Sequence, residues 1–254
     1  MRNNYTSTIE RALEIAQEER RRTTSERDAF NEFITTVNSI NPSSPNTSFN
    51  KVMSLRSKSQ QATTREIQQA YRESIMNMPH YEEEYNETMA INLEAELGPD
   101  IAEAIIKDCP VTPQLQHVVA ISAARAEEKR TEFINTLDIE IDILKTERRT
   151  LSAIQDMYTS FLNRQLYTYS LDELHEKYDQ IDQKQSMCSK ILEDRQTQRQ
   201  TGHASLQTKS VSDLQSYLYQ DLKVTYPILS DTLQLYKELC SCRYRIECWL
   251  SRFD

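Results

Sequence analysis

The sequence predicts an all-α protein: an elongated antiparallel hairpin of long helices, or coiled coil, with shorter helices docked on it. One observation is composition, because the 254 residues include only 2 Gly and 7 Pro, fewer than sheet-rich folds need for their turns. Another is the stretch 112–169, where apolar side chains recur at three- and four-residue steps, as in helices that pack lengthwise. Glu147 alone interrupts this seam, which consists of Leu137, Ile141, Leu144, Leu151, Ile154, Tyr158 and Phe161.

The long stretch 112–169 has a clear start and two possible continuations. Thr112 can cap the first free N–H groups of a helix, and Pro113 suits the first helical position. About 57 residues at roughly 1.5 Å each make a rod of ~85 Å, which must pack lengthwise on another element. The chain then either runs straight or turns at Tyr169 and Ser170. A capping box that starts at Ser170 favours the turn, and with it a hairpin with a return helix over 171–200.

Residues 1–41 are predicted to form one N-terminal amphipathic helix. A capping box spans residues 7–10. A seam of three- and four-residue steps is apolar at both ends and polar in the middle, and it uses positions 9, 13, 16, 20, 23, 27, 30, 34 and 37. We interpret the middle as solvated, and the alternative is a polar seam that sets the register of a partner helix. The pair Asn41 and Pro42 ends the helix. The polar composition of residues 42–62 predicts a flexible linker.

Residues 63–254 are predicted to form a helical coiled-coil domain. Its first part, 63–108, contains acidic helices that start at a capping box over residues 63–66, break at Pro79 and end at Gly98. Eleven acidic and three basic residues give this part most of the net charge of −9. After a loop at 201–212, two C-terminal helices over 213–253 carry an apolar stripe that includes Tyr217 and Leu218. We expect these helices to dock on residues 67–97 or on the nearby start of the long helix.

The distribution of apolar and charged residues limits the setting of the protein. No apolar run approaches the ~20 residues of a membrane span, and the chain starts with a charged helix rather than an apolar signal core. The expected location is therefore the cytoplasm. The cysteine count of 5 is odd and three of them lie on one helix, so the sequence predicts free thiols. The acidic balance argues against broad nucleic-acid binding.

Three groups of residues were considered as metal ligands, and each has a simpler interpretation. Cys240, Cys242 and Cys248 lack the spacing of a zinc site and suit buried or inert thiols. Asp172 and His175 share a helix face, but this arrangement occurs once, at a helix start where an acidic residue is favoured. His80 next to Glu82, Glu83 and Glu84 is a possible cation site, although a solvated acidic helix start is the preferred interpretation.

The sequence signals for a catalytic site are equally weak. Two isolated glycines exclude a glycine-rich phosphate loop, and the four histidines are scattered. The basic run of Arg20, Arg21 and Arg22 is flanked by Glu18, Glu19 and Glu26 and suits a self-compensated surface. The sequence therefore predicts no catalytic, cofactor-binding or metal-binding residue, no cofactor, and a protein that is not an enzyme.

Seven short motifs in the sequence are familiar in combination. They are YRES at 71–74, MPHY at 78–81, EEY at 83–85, EAELGP at 94–99, TPQL at 112–115, YLYQDL at 217–222 and TYP at 225–227. Together they resemble one uncharacterised family of helical, coiled-coil-rich proteins from halophilic archaea. The resemblance extends from the first helix to the tyrosine-rich C-terminal region. It implies an all-α fold and a cytoplasmic setting, and it implies no known site residue.

Three functional hypotheses follow from these observations. The first is a non-enzymatic coiled-coil scaffold or interaction protein that binds a protein partner or itself. The alternative is a regulatory or DNA-associated helical protein, for which salt-sensitive retention on DNA would be the signature. The third and least favoured is a helical-bundle metalloprotein.

Overall fold

A computed structural model describes residues 6–42, 62–162, 164–202 and 211–252. Within these ranges the protein has nine α-helices and no strand, so the prediction of an all-α fold is confirmed. The helices are α1 Ser7–Ser39, α2 Thr64–Ser74, α3 Tyr81–Glu84, α4 Met89–Leu97, α5 Pro99–Ile106, α6 Pro113–Leu162, α7 Leu171–Gly202, α8 Val211–Leu218 and α9 Pro227–Leu250.

The chain divides into two compact units. Unit 1 comprises Met1–Glu19 and Leu137–Asp254, and unit 2 comprises Arg20–Thr136. The two longest helices, α1 and α6, are divided between the units, so that each helix has one part in unit 1 and the other in unit 2. Most of the linker predicted at 42–62 lies outside the described residues.

One ion pair in unit 1 shows that α6 and α7 form a hairpin. Glu140 on α6 contacts Arg195 on α7, with Nη2 2.7 Å from each carboxylate oxygen. These residues lie almost equally far on either side of the interruption between the two helices, so α6 and α7 run antiparallel. At the start of α7, the backbone N–H of Ser170 donates to the Glu173 carboxylate at 2.8 Å, and the N–H of Glu173 donates to the Ser170 hydroxyl. The capping box predicted at Ser170 is therefore present.

The long helix is shorter than expected, although its seam is correct. All seven predicted seam residues of α6 are buried. The helix ends at Leu162 instead of continuing to residue 169, because a 3-10 turn over Leu166–Thr168 follows. Tyr169 folds back there and stacks on Phe161, with ring centroids 5.6 Å apart. The stacked pair thus fixes the connection between α6 and α7 directly before the capping box at Ser170.

Glu147, the one interruption of the seam, should make the free energy of unfolding depend on pH. Burial raises the pKa of its carboxyl group, Arg195 lowers it and Asp194 raises it, and the net shift is upward. The folded state therefore holds this proton more tightly than the unfolded chain, and the Glu147 contribution to stability falls as pH rises from 4.5 through the folded pKa. We expect Glu147→Leu to raise the free energy of unfolding at pH 7 by about 1 kcal/mol, mainly from the apolar surface that it buries. Urea unfolding between pH 4.5 and 7.5 should show the difference shrinking in acid, and a difference that grows in acid would contradict the assignment.

The C-terminal helices pack differently from the sequence interpretation. Their helix α8 ends at Leu218, and the buried aromatic residue is Tyr219, which is 1% exposed, whereas Tyr217 is 49% exposed. The predicted stripe was therefore wrong at Tyr217. The buried side chains of this segment are those of Leu214, Gln215, Leu218 and Tyr219. Both helices belong to unit 1, where α9 packs along α7, and residues 67–97 belong to unit 2. The packing of these helices within unit 1 is therefore not the docking on residues 67–97 that the sequence predicted.

The start of α1 is capped by a residue distant in sequence. In unit 1, Oδ2 of Asp231 on α9 accepts the backbone N–H groups of Thr8 and Ile9 at 3.0 and 2.9 Å. These N–H groups have no partner within their own helix, so a carboxylate there satisfies them and complements the positive end of the helix dipole. The capping box predicted at residues 7–10 gave no indication of this contact.

Unit 2 encloses a separate apolar core. The helices α2 to α5 pack with the later part of α1 and the early part of α6 around fully buried side chains that include Phe30, Phe33, Ile67, Tyr71, Leu93 and Ile105. The capping box predicted at residues 63–66 is absent, because Thr63 makes no side-chain cap. Instead the neighbouring Thr64 hydroxyl donates to the carbonyl of Lys107 at 2.6 Å. Gly98, with φ of 98°, ends α4 as predicted.

Candidate functional site

The cysteines considered as metal ligands do not form a site. Cys242 is buried, Cys240 is half-buried beside the Gln185 amide at 3.1 Å, and Cys248 is exposed. Burial raises the pKa of Cys188 and of Cys242 to about 11, so both thiols are protonated at neutral pH and are poor nucleophiles. All five cysteines lie within the described residues and all are free, which confirms the prediction of free thiols.

The Asp172 and His175 pair also fails to form a cluster. Both residues lie on the exposed face of the first turns of α7. Among the described residues, one group of three His, Cys, Asp or Glu side chains brings its potential ligand atoms together, and it consists of Glu26, His80 and Glu84. Two of these residues come from the segment that the sequence interpretation treated as solvated.

His80 is the central residue of this cluster. Its side chain is 4% exposed, and neither ring nitrogen has a hydrogen-bond partner. Nε2 lies 3.5 Å from Oε1 of Glu26 on α1 and 3.8 Å from Oε2 of Glu84, four residues further on. That spacing places His80 and Glu84 on the same face of the helical turn. The preferred interpretation of a solvated helix start is therefore wrong for His80, while Glu82 and Glu83 are exposed as expected.

Glu26 is held in place by two further residues of unit 2. Nε of Arg130 on α6 donates to its Oε2 at 2.8 Å, and the hydroxyl of Tyr85 donates to its Oε1 at 3.1 Å. Arg130 also binds Glu96 through two hydrogen bonds of 2.7 and 3.0 Å and lies over the ring of Phe30. The middle of α1 is therefore buried at Thr23 and Glu26, and the interpretation of a solvated middle was wrong.

The rim of the cluster is more exposed and is also charged. Nη2 of Arg22 lies 3.1 Å from Glu83, and its Nη1 lies 3.8 Å from Oε2 of Glu84. Arg22 belongs to the basic run of α1, so at least this residue contributes to an ion-pair network within unit 2.

A second buried polar cluster lies in unit 1 around Glu140, which is 2% exposed. Besides Arg195, its Oε1 accepts hydrogen bonds from the Gln215 amide and the Tyr219 hydroxyl, both at 3.1 Å. Burial raises the pKa of Tyr219, and the neighbouring Glu140 carboxylate raises it further, so the hydroxyl stays protonated and donates. Arg195 on α7 and Gln215 on α8 thus join Glu140 to two other helices, and the sequence interpretation included neither Glu140 nor Arg195.

Comparison with known proteins places the chain in a family. A family model described as a domain of unknown function (DUF7260) matches residues 7–243, which is most of the chain. No curated protein matches the sequence significantly. No solved structure matches it significantly either. In the part of the chain that the structure describes, no helix is both long and apolar enough to span a membrane.

Proposed function

We propose that this chain, a member of the DUF7260 family of unknown function, is a non-enzymatic helical scaffold or interaction protein of the cytoplasm. The observation that carries the proposal is the use made of its buried polar groups. Arg195, Gln215 and Tyr219 all donate to Glu140, and the Asp231 carboxylate accepts two N–H groups at the start of α1. Polar groups engaged in this way hold helices together, which supports a structural role for them.

The outward face of α9 supports an interaction role. Leu233 is 43% exposed and Tyr244 is 66% exposed, and they lie eleven residues apart, about three helical turns, so they share one face. Tyrosine is enriched in protein interfaces, and the exposed leucine adds apolar surface to the same face of the helix. We propose that this face contacts a protein, either a second copy of the chain or a different partner.

The test uses the full chain and two matched variants. The double variant Leu233→Glu with Tyr244→Glu places charge on the proposed face, and Gln234→Glu places charge on an exposed position outside it. Light scattering over a concentration series should show a mass above the monomer, or affinity purification at native salt should recover a defined partner. The double variant should lose this association by at least about 10-fold, while Gln234→Glu keeps it.

The outcomes separate the hypotheses. Both variants should keep the wild-type helical content, because the substituted residues are exposed. The proposal would be overturned if the wild-type chain stays monomeric in light scattering and also recovers the same proteins in affinity purification as the double variant does. Salt-sensitive retention on DNA would instead favour the regulatory, DNA-associated alternative.

A further inference from the structure

An unsatisfied buried histidine is the strongest unexplained feature of unit 2. Buried polar side chains are nearly always hydrogen-bonded, because losing water without gaining a partner is costly. Both ring nitrogens of His80 are buried and lack a hydrogen-bond partner. Nevertheless Nε2 faces two carboxylate oxygens at 3.5 and 3.8 Å. These separations are too long for direct hydrogen bonds and fit a group bound between the three residues.

The separations match those of metal ligands. Nitrogen and oxygen ligands bind Zn²⁺ at about 2.1 Å, which places neighbouring ligand atoms of a tetrahedral site about 3.4 Å apart. The ligand atoms of Glu26, His80 and Glu84 all lie within 4.8 Å of one another. A small movement of the Glu84 side chain, which is 28% exposed, would close the larger gap. The fourth position would be taken by water.

The charges around His80 also favour a divalent cation. The ion pairs described above join four carboxylates, those of Glu26, Glu83, Glu84 and Glu96, to the two guanidinium groups of Arg22 and Arg130. Among these named residues the carboxylates outnumber the guanidinium groups, which favours a cation rather than an anion beside His80.

The carboxylate of Glu26 has the supporting contacts of a metal ligand. Metal-binding carboxylates are usually oriented by hydrogen bonds from residues behind them. Arg130 donates to Oε2 of Glu26 and Tyr85 donates to Oε1, so the second lone pair of Oε1 can face His80. These contacts fix the orientation of the carboxylate before any ion arrives.

We infer that Glu26, His80 and Glu84 bind one divalent transition-metal ion, of which Zn²⁺ is the probe of choice. Imidazole nitrogen together with carboxylate oxygen suits Zn²⁺ and Mn²⁺ better than the oxygen-only sites of Ca²⁺ or Mg²⁺. The ion would connect α1 to residues 80–84 and stabilise unit 2. This inference does not depend on the proposed interaction role.

The experiment titrates the metal-free full chain with Zn²⁺, measuring heat of binding and the thermal unfolding midpoint. The wild type should bind one ion at this site and gain about 5–10 °C at an excess of 100-fold over Kd. His80→Ala and Glu84→Gln should each weaken binding by more than about 100-fold and lose the thermal gain. Tyr85→Phe should weaken it by about 10-fold, because it removes only an orienting hydrogen bond. The control His117→Ala, at an exposed histidine of α6, should bind like the wild type.

Glu84→Gln keeps the proposal falsifiable if His80→Ala fails to fold, since Glu84 lies at the edge and the substitution preserves its shape. Zn²⁺ that binds equally to the wild type and to folded Glu84→Gln would overturn the proposal. The same holds for Zn²⁺ binding that is lost only when Cys240 and Cys248 are changed to serine, because thiolates are its other preferred ligands. A wild-type chain that binds no Zn²⁺ would also overturn it.

Discussion

Replacing Arg195 with Met is expected to lower the free energy of unfolding by about 3–5 kcal/mol, the typical cost of leaving a buried charge without its partner. Arg195 is 7% exposed and Glu140 is 2% exposed. The substitution keeps most of the apolar stem of the side chain but removes the guanidinium group and with it both hydrogen bonds to the Glu140 carboxylate. The carboxylate would then retain two neutral donors, Gln215 and Tyr219, which do not balance its charge. Urea unfolding followed by circular dichroism measures the loss.

Two further variants separate lost pairing from lost packing. Adding Glu140→Gln to Arg195→Met removes the unpaired charge and keeps an oxygen that accepts from Gln215 and Tyr219. The double variant should therefore recover most of the stability. The control Arg243→Met breaks an exposed pair with Asp182, where the atoms are 2.9 Å apart, and should cost at most about 1 kcal/mol. If the double variant is as unstable as Arg195→Met, the buried pair stabilises unit 1 by packing and not by charge.

Periodicity predicted the helices, because it depends on residues close in sequence. The seam of α6 and the capping box at Ser170 are both local patterns, and both were correct. Buried polar residues beside the predicted seams were missed for the same reason. Glu26 and Glu140 look solvated when judged by their neighbours, and their partners, Arg130 and Arg195, lie 104 and 55 positions away.

A usable signal for Glu26 was present in the sequence. The predicted α1 seam used Arg27 and Ile34, whereas the buried stripe runs through Thr23, Glu26, Phe30, Phe33, Val37 and Ile40. This stripe has equally regular three- and four-residue steps and more apolar residues near the end of α1. Choosing it would have shown that Glu26 faces the core, although it would not have identified Arg130 or His80.

The candidate site around His80 was found only in part. The sequence analysis named His80 with Glu82, Glu83 and Glu84 as a possible cation site, because these residues follow one another closely in the chain. The third residue of the cluster, Glu26, comes from another helix, and burial of His80 depends on how α1 packs in unit 2. A local pattern cannot show either of these features.

Replacing Tyr71 with Ala is expected to destabilise unit 2 by about 3–5 kcal/mol, the usual cost of removing a buried aromatic ring. Tyr71 is 0% exposed and meets Phe33 edge to face, with ring centroids 5.3 Å apart. Its hydroxyl donates to the buried amide oxygen of Asn92 at 2.6 Å, which joins α2 to α4. Burial raises the pKa of Tyr71, so the hydroxyl is protonated and donates at neutral pH. Hydrogen exchange should become faster in Thr64–Ser74 and Met89–Leu97.

Tyr71→Phe separates the two contributions of this side chain. It keeps the ring against Phe33 and removes only the donor, so the Asn92 oxygen is left buried and unsatisfied, at a cost of about 1–3 kcal/mol. Tyr167→Ala is the control, because that ring is 69% exposed and its loss should change stability by less than about 0.5 kcal/mol. Equal destabilisation by Tyr71→Phe and Tyr71→Ala would mean that the bond to Asn92, and not the ring, holds α2 and α4 together. A Tyr71→Ala loss as small as that of Tyr167→Ala would contradict the core of unit 2 as described, because a fully enclosed ring cannot be removed without leaving a cavity.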